Sequence, residues 1–346
     1  MKTVLDSIAH RGRGTGDVSH STDGKELMML RHGRFVPQGV IPAVLLPFDD
    51  ALAIDEASFR THLRAVAATP GLAAITVNAH STEVASCAFE EQRRVLDIAG
   101  DTIGDRLPLV NGVWADGSLE AARIARMATQ AGAAALLVFP PAPFTLGQTP
   151  DMALAHFKRV ADASDLPIIV FQYPLATGQG YPSETLVRLA QEVPTIAAIK
   201  DWAGNVPQHE MHIRLLQNLP RPVNVLTTHS AWLLSSLVLG CNGLLSGSGS
   251  VIADLQAELF RAVQAGDLPA ARRLNDRIYP LARVFYAEPW SDMHNRMKEA
   301  LVLLGRLPRA VVRPPLVKLG DAEIARIRAA LAQSGLLPAK AGRDAA

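Results

Sequence analysis

The octapeptide TIAAIKDW, residues 195–202, joins a run of apolar residues to a lysine and an acid. Its apolar part predicts a strand that is buried on both faces, and Lys200 stands at the end of that strand. A lysine ammonium is costly to bury and usually stays in solvent. Either the strand has left the core at this point, or the amine of Lys200 is held there for chemistry.

Seven similar apolar runs occur along the chain, and an amphipathic helical stretch follows each of the eight. The predicted strands are VIPAVLLPF (40–48), LAAITVNA (72–79), LPLVNGV (107–113), AALLVFP (134–140), PIIVFQY (167–173), TIAAIK (195–200), PVNVLTT (222–228) and GLLSGSG (243–249). Helices are predicted to begin near Asp55, Glu90, Ser118, Pro150, Pro182, Asn205, Ala231 and Val251. Continuous apolar strands indicate a parallel sheet covered by helices. Eight such units favour an α/β fold of the (β/α)8 barrel type over an open doubly wound sheet.

The chain divides into four predicted parts. The barrel is expected over residues 37–265, and a C-terminal helical extension over 266–336. Residues 1–36 are rich in Gly, Ser, His, Arg and Asp without sustained periodicity, which predicts a poorly ordered N-terminal arm. Residues 337–346 are expected to form a tail.

The composition indicates an ordinary enzyme that acts on a small molecule. The 346 residues are 49% hydrophobic and 19% charged, and the net charge of +1 gives no reason to expect nucleic acid or an anionic membrane as partner. No apolar run approaches the roughly 20 residues of a membrane span, and the N-terminus lacks a signal-peptide stretch. Cys87 and Cys241 predict neither a disulfide framework nor a cysteine zinc site. We therefore expect a cytoplasmic protein.

In a barrel of this type the active site lies at the carboxyl ends of the strands, which places Lys200 at the rim. Side chains alternate along a strand, so Ile196 and Ala198 are expected to point inward with Lys200. A partly desolvated amine favours its neutral form, which can make a Schiff base with a ketone. Tyr173, at the end of the preceding strand, is placed to relay protons. The alternative is that Lys200 pairs with an acid across the rim, and position alone favours neither.

Four segments then resemble a known family when they are taken together and in order. They are AHSTE (79–83) after strand two, FQYP at the end of strand five, AAIKD at the end of strand six and the late RPPL (313–316). The pattern resembles the dihydrodipicolinate synthase and N-acetylneuraminate lyase superfamily over residues 38–336. The resemblance supports the barrel.

The resemblance also implies roles for individual residues. Lys200 matches the lysine that forms a Schiff base with pyruvate or another 2-oxo acid, and Tyr173 matches the proton-relay tyrosine. His80, Ser81 and Thr82 match the turn that binds the carboxylate of the 2-oxo acid. Further substrate contacts, mostly through backbone, are implied at Thr228, Leu245 and Gly247. The family implies no metal or organic cofactor, and it implies a homotetramer or homodimer.

The sequence departs from the family pattern at three places. Where the family has a tyrosine after strand four, this chain has FPPAPF with Pro140, Pro141 and Ala142. Ala176 stands where the family has an arginine for the carboxylate of the second substrate, and losing a bidentate clamp argues against lysine biosynthesis. His80 replaces a hydroxyl residue, and it is either an acid or base near neutral pH or a hydrogen-bonded structural histidine.

Two further motifs have residues that are typical of binding sites. GSGS, residues 247–250, lies where barrel enzymes often bind phosphate, although the resemblance favours a substrate carboxylate or close packing. HEMH places His209 and His212 on one helix face at a spacing that suits a metal, but the helix is expected to lie outside the barrel with this face in solvent.

Aromatic residues give a weaker indication of specificity. An apolar or aromatic substrate tail would be selected if the mouth of the barrel were lined by Trp114, Trp202 and Phe144. Trp290 and Tyr286 belong to the C-terminal helices and are expected in the core or in an oligomer contact.

The sequence thus predicts a class I aldolase-type lyase that cleaves, condenses or dehydrates a small oxo-acid substrate through an imine on Lys200. One alternative is a condensation of pyruvate with an aldehyde, as in a 4-hydroxy-tetrahydrodipicolinate synthase. Another is a barrel that binds a 2-oxo acid without turning it over. A metal-dependent aldolase is disfavoured because no convincing ligand set occurs in the sequence.

Overall fold

The computed structural model describes residues 35–338, which form an eight-stranded parallel barrel covered by helices. The predicted arm and tail lie almost entirely outside these residues. Strands pair in the order β1-β8-β7-β6-β5-β4-β3-β2, and parallel bridges from Val40 to Leu72 and from Ala43 to Thr76 join the two ends of the sheet. No helix within the described part of the chain is long and apolar enough to cross a membrane.

The predicted strands and helices all occur, within two residues of the predicted helix starts. The strands are β1 Gly39–Pro42, β2 Ile75–Val77, β3 Leu109–Val113, β4 Ala135–Val138, β5 Ile168–Gln172, β6 Ile196–Asp201, β7 Asn224–Thr227 and β8 Gly243–Ser246. The helices around the barrel are α1 Glu56–Ala67, α2 Phe89–Ile103, α3 Ser118–Gln130, α4 Pro150–Ala161, α5 Ser183–Glu192, α6 Val206–Leu216, α7 Leu233–Val238 and α8 Gly249–Gln264. The C-terminal extension consists of α9 Leu268–Phe285, α10 Met293–Leu303 and α11 Asp321–Gln333.

Local sequence explains where several of these helices begin. The side chains of Asp55 and Asn205 accept hydrogen bonds from backbone N–H groups in the first turns of α1 and α6. Thr149 caps α4 in the same way, and Pro150 follows at the first helical position. Polar residues before the apolar periodicity therefore fix the helix starts.

Buried side chains form two layers. One cluster lies between the sheet and the helices, and a smaller one fills the inside of the barrel. Ala198 belongs to the inner cluster, as predicted, but Ile196 belongs to the outer one. The register between β5 and β6 skips one residue, because Ile168 pairs with Ile196 and Ile169 pairs with Ala198. This bulge reverses the facing expected for Ile196.

A buried ion pair fastens the C-terminal extension to the barrel. The ammonium of Lys298 in α10 donates to the carboxylate of Glu83, and the side chains are 1% and 4% exposed. The other carboxylate oxygen of Glu83 accepts from the backbone N–H of Arg313 at 2.9 Å, and the Arg313 guanidinium pairs with Glu91 at 2.5 Å. The RPPL segment is therefore part of the contact that holds the extension against the turn after β2.

The close approach of β3 to the end of β2 leads to a prediction about stability. A β carbon on Gly112 would lie 1.7 Å from the backbone oxygen of Asn78, so Gly112→Ala must displace that backbone. We expect the substitution to lower the free energy of unfolding by about 3 kcal/mol in urea denaturation. Gly100→Ala in α2, where nothing lies within 4 Å, is the control and is expected to unfold at the same urea concentration or a slightly higher one. Equal midpoints for both variants would contradict the steric argument.

Candidate active site

A cavity of about 230 Å³ opens at the carboxyl ends of the strands, and Lys200 lies in its wall. The side chain of Lys200 points into the barrel mouth and is 5% exposed, with its Nζ 4.2 Å from the ring centroid of Phe171 on β5. Burial lowers the pKa of Lys200 to about 7. No described Asp or Glu forms an ion pair with this amine, which separates it from an ordinary rim salt bridge.

Tyr173 follows β5 and is hydrogen-bonded to His80. The phenol oxygen of Tyr173 contacts Nε2 of His80, and the ring of Tyr173 lies 4.5 Å from that of Phe171, between centroids. Burial raises the pKa of Tyr173 and lowers the pKa of His80 to about 3, with the charge of Lys200 as a second cause for the histidine. Both partners are therefore uncharged at neutral pH, and the hydrogen bond between them can carry a proton.

His80 is held by packing against three aromatic rings. Its ring centroid lies 5.1 Å from that of Trp114, 5.0 Å from Phe139 and 5.6 Å from Phe171. This environment is apolar, so it fixes the ring and keeps the imidazole neutral. His80 lines the cavity, and its hydrogen-bond partner Tyr173 is buried beside it without lining the cavity itself.

The turn His80–Thr82 contributes one available hydroxyl. Ser81 lines the cavity, is 1% exposed, and its Oγ has no hydrogen-bond partner among the described residues. Thr82 is also buried, but its hydroxyl donates to the backbone oxygen of Ala79 at 2.8 Å and it does not line the cavity. Ser81 thus offers a polar contact to a bound molecule, whereas Thr82 stabilises the turn.

Of the three further substrate-contact residues implied by the resemblance, two line the cavity and one does not. Thr228 and Gly247 line the cavity. Gly247 leaves room for His294, since a β carbon at this position would lie 2.9 Å from the histidine Nε2. Leu245 is fully buried in the inner cluster below the cavity and does not line it.

The C-terminal extension supplies a part of the cavity wall that the sequence did not indicate. Tyr286, Trp290, Met293 and His294 all line it, and the phenol of Tyr286 accepts a hydrogen bond from the backbone of Ser248 at 3.2 Å. Tyr286 packs against the outer core as expected, but both Tyr286 and Trp290 also line the cavity, which the sequence did not predict. No local motif marks these residues, because their position depends on how the extension folds back over the barrel.

Of the three aromatic residues predicted to line the mouth of the barrel, one lines the cavity. Trp202 lines the cavity, while Trp114 packs on His80 without lining it. Phe144 is buried in the outer core near His156. His229 and Trp232, which follow β7, also line the cavity.

The histidines of HEMH are fully buried, so the expectation of a solvated face was wrong. Nδ1 of His209 and Nδ1 of His212 each lie 2.8 Å from Oδ2 of Asp201, and the backbone N–H of Ala203 donates to Oδ1. Asp201 follows Lys200, and its side chain points to the opposite side of the sheet, toward α6. The two histidines are three residues apart on one helix face, so they meet the carboxylate together.

The cluster around Asp201 also has the residue types of a metal site. Ligand atoms of Asp201, His209 and His229 lie within 4.8 Å of one another. Burial raises the pKa of Asp201, but hydrogen bonds from His209 and His212 outweigh it and hold the pKa below its ordinary value. Nδ1 of both histidines is hydrogen-bonded to the carboxylate, and Nε2 of His209 is hydrogen-bonded to the hydroxyl of Ser236. The geometry fits a hydrogen-bonded anchor for the end of β6.

The GSGS segment uses its serine hydroxyls within the protein. Ser248 Oγ lies 2.9 Å from Ser246 Oγ and accepts from Gln256 at 2.9 Å. Ser250 Oγ accepts from the backbone of Leu45 and contacts His62. These bonds fit the interpretation of close packing better than that of a phosphate site.

The chain is similar to known proteins over most of its length. A model described as the dihydrodipicolinate synthetase family matches residues 36–334. The 4-hydroxy-tetrahydrodipicolinate synthase of Maridesulfovibrio salexigens is 30% identical over 300 residues, which cover 87% of this chain and 99% of the relative. A protein of the same name from Neisseria meningitidis is 31% identical over 269 residues, which cover 78% of this chain and 88% of the relative.

Solved structures support the fold. The dihydrodipicolinate synthase of Thermotoga maritima has a TM-score of 0.80 at 23% identity, covering 87% of this chain and 99% of its own. YagE of E. coli K12, a prophage protein of the dihydrodipicolinic acid synthase family solved with pyruvate, has a TM-score of 0.81 at 24% identity and the same coverage. With the family model matching most of its length, this chain belongs to the dihydrodipicolinate synthetase family.

Proposed function

We propose that the protein is a class I aldolase-type lyase in which Lys200 forms a Schiff base with pyruvate or another 2-oxo acid. The observation that carries the proposal is the buried amine of Lys200, which has no carboxylate partner among the described residues and lines a cavity with His80, the hydrogen-bond partner of Tyr173. Its pKa of about 7 leaves about half of the amine neutral, and therefore nucleophilic, at neutral pH. Membership of the family supports the same chemistry.

The reaction would begin with attack of the Lys200 amine on the ketone carbon of the 2-oxo acid. The carbinolamine loses water to give an imine, which withdraws electrons from C3. Loss of a proton from C3 gives an enamine, and its C3 attacks an aldehyde carbon, whose oxygen takes up a proton. Water then hydrolyses the imine and releases the amine. In the cleavage direction the same steps run in reverse.

Tyr173 would move protons in these steps, and His80 would act through it. The Tyr173 phenol stays protonated because burial raises its pKa, so it can give a proton to the departing hydroxyl of the carbinolamine. The phenolate that remains can take up the proton lost from C3, which restores the phenol, while neutral His80 holds the phenol oxygen through its hydrogen bond. The free hydroxyl of Ser81 would donate to the substrate carboxylate.

A 4-hydroxy-tetrahydrodipicolinate synthase-like condensation is the main alternative, and the names of the relatives favour it. Against it, Ala176 is exposed on the turn after β5 and does not line the cavity, so the carboxylate clamp of the second substrate is missing. A barrel that binds a 2-oxo acid without turnover is a second alternative. Against this alternative, Lys200 and His80 line one cavity, and His80 is hydrogen-bonded to Tyr173.

We also propose a small-molecule substrate, a homo-oligomeric assembly and a cytoplasmic location. A small 2-oxo acid fits a cavity of this size better than a macromolecule does. The free, buried thiols of Cys87 and Cys241 support a reducing compartment such as the cytoplasm. The family resemblance supports a homotetramer or homodimer.

Trapping with borohydride tests the proposed role of Lys200. In the presence of pyruvate, reduction is expected to add one pyruvyl-derived group to the intact protein, and peptide mass analysis should place it on Lys200. Lys200→Ala is expected to abolish the adduct, whereas Lys158→Ala, which removes an exposed lysine on α4, should keep it. An intact mass that does not change with any 2-oxo acid would refute the Schiff-base mechanism.

The pH dependence of imine formation follows from the lowered pKa of Lys200. Burial disfavours the charged amine, so the reactive neutral form predominates above pH 7 and is lost as the pH falls through about 7. The rate constant for trapping with pyruvate should therefore rise with pH, with a midpoint near 7, and should be about tenfold below its plateau at pH 6. A midpoint close to the ordinary lysine pKa of 10.5 would show that the amine is solvated.

Removal of the Tyr173 hydroxyl tests the proton relay. Tyr173→Phe keeps the ring packing but loses the bond to His80, so kcat is expected to fall about 100-fold while KM for pyruvate changes little. The matched control is Tyr181→Phe, which removes a buried hydroxyl that has no hydrogen-bond partner in the described structure. It should keep near-normal kcat. Equal kcat for the two variants would exclude Tyr173 from proton transfer.

A further inference from the structure

The outer half of the cavity is built from aromatic rings. The centroid of Trp202 lies 5.2 Å from that of Trp290 and 5.7 Å from that of Tyr173. On the other side, Trp232 stacks on His229 at 3.9 Å between centroids. Trp202 follows β6, Trp232 follows β7, and Trp290 lies in the turn before α10. The fold brings these three side chains together around the space next to Lys200.

This half of the cavity offers no charge to a bound molecule. Among the described residues, no Asp, Glu or Arg lines the cavity, and Lys200 is the one lysine in its wall. The three lining histidines are uncharged at neutral pH, because burial lowers the pKa of His80 and His229 to about 3 and that of His294 well below its ordinary value. An anionic group placed here would be desolvated without a countercharge.

The two halves of the cavity therefore suit different parts of a substrate. The carboxylate and ketone of a 2-oxo acid belong at Ser81 and Lys200, where a free hydroxyl and an amine are available. What remains for the second carbonyl compound is a neutral space walled by Trp202, Trp232 and Trp290. Flat aromatic rings gain most from such walls, through edge-to-face and offset contacts.

We propose that the carbonyl partner of the 2-oxo acid is an uncharged aromatic aldehyde. This inference rests on the proposed function and names its second substrate class. The bond made or broken joins C3 of the 2-oxo acid to the carbonyl carbon of the aldehyde. In condensation C3 loses a proton and the aldehyde oxygen gains one, which gives a 4-aryl-4-hydroxy-2-oxo acid. Cleavage returns the two carbonyl compounds.

The test compares three aldehydes in pyruvate-dependent condensation by the full chain: benzaldehyde, butanal and succinic semialdehyde. Benzaldehyde is expected to have a kcat/KM at least about tenfold above the neutral aliphatic and the anionic aldehyde. Similar or higher efficiency with succinic semialdehyde would overturn the inference. Adduct formation from pyruvate and borohydride, without any aldehyde, is measured in parallel.

Substitution of Trp290 tests whether the aromatic wall causes the preference for benzaldehyde. Trp290→Ala should raise KM for benzaldehyde about tenfold while pyruvate trapping on Lys200 stays unchanged, and Trp290→Phe should recover most of the loss. Tyr279→Ala, which removes an exposed aromatic side chain on α9 outside the cavity, is the control and should leave both values unchanged. An unchanged KM in Trp290→Ala would count against the aromatic wall.

The parallel trapping assay distinguishes the two levels of the proposal. A pyruvate adduct on Lys200 together with no preference for benzaldehyde would overturn the aromatic partner and leave the proposed Schiff-base function standing. Absence of an adduct with every 2-oxo acid would overturn the proposed function, and the aromatic partner with it.

Discussion

The burial of one unpaired lysine amine is the constraint around which the carboxyl end of this barrel is arranged. Lys200 is 5% exposed, and an ammonium in this position would pay a desolvation cost that no carboxylate offsets. The protein meets this constraint by lowering the pKa of the amine to about 7 rather than by pairing it. Its chemistry follows, because a neutral amine is a nucleophile at physiological pH.

The residue next to Lys200 shows how strand geometry separates two electrostatic tasks. Alternation along β6 sends Lys200 into the barrel and Asp201 out toward α6. The carboxylate of Asp201 is then satisfied by His209, His212 and a backbone N–H, and it stays ionised on the far side of the sheet. Asp201 thus anchors the end of β6 without pairing with the amine of Lys200, so the amine has a fixed position and keeps its lowered pKa.

The C-terminal extension belongs to the catalytic end of the barrel as well as to the outer shell. Lys298 reaches from α10 to Glu83, one residue beyond the turn that carries His80 and Ser81. Breaking a buried ion pair leaves an uncompensated charge, so the extension and the turn are held in one arrangement. Trp290 lies just before α10, so the contact that holds the extension against the barrel also places Trp290 in the cavity wall.

The sequence by itself determined the barrel and the strand ends at which Lys200 and Tyr173 lie, because hydrophobic period and strand count depend on local order. Counting eight apolar runs placed Lys200 and Tyr173 at neighbouring strand ends, and the structure agrees. Only the tertiary structure decided the rest. It placed a bulge that turns Ile196 outward, buried the HEMH histidines against Asp201, and brought the extension over the cavity. The bulge and the position of the extension depend on contacts between residues distant in the chain, and the burial of the histidines depends on how α6 packs against the end of β6, so no local pattern predicts them.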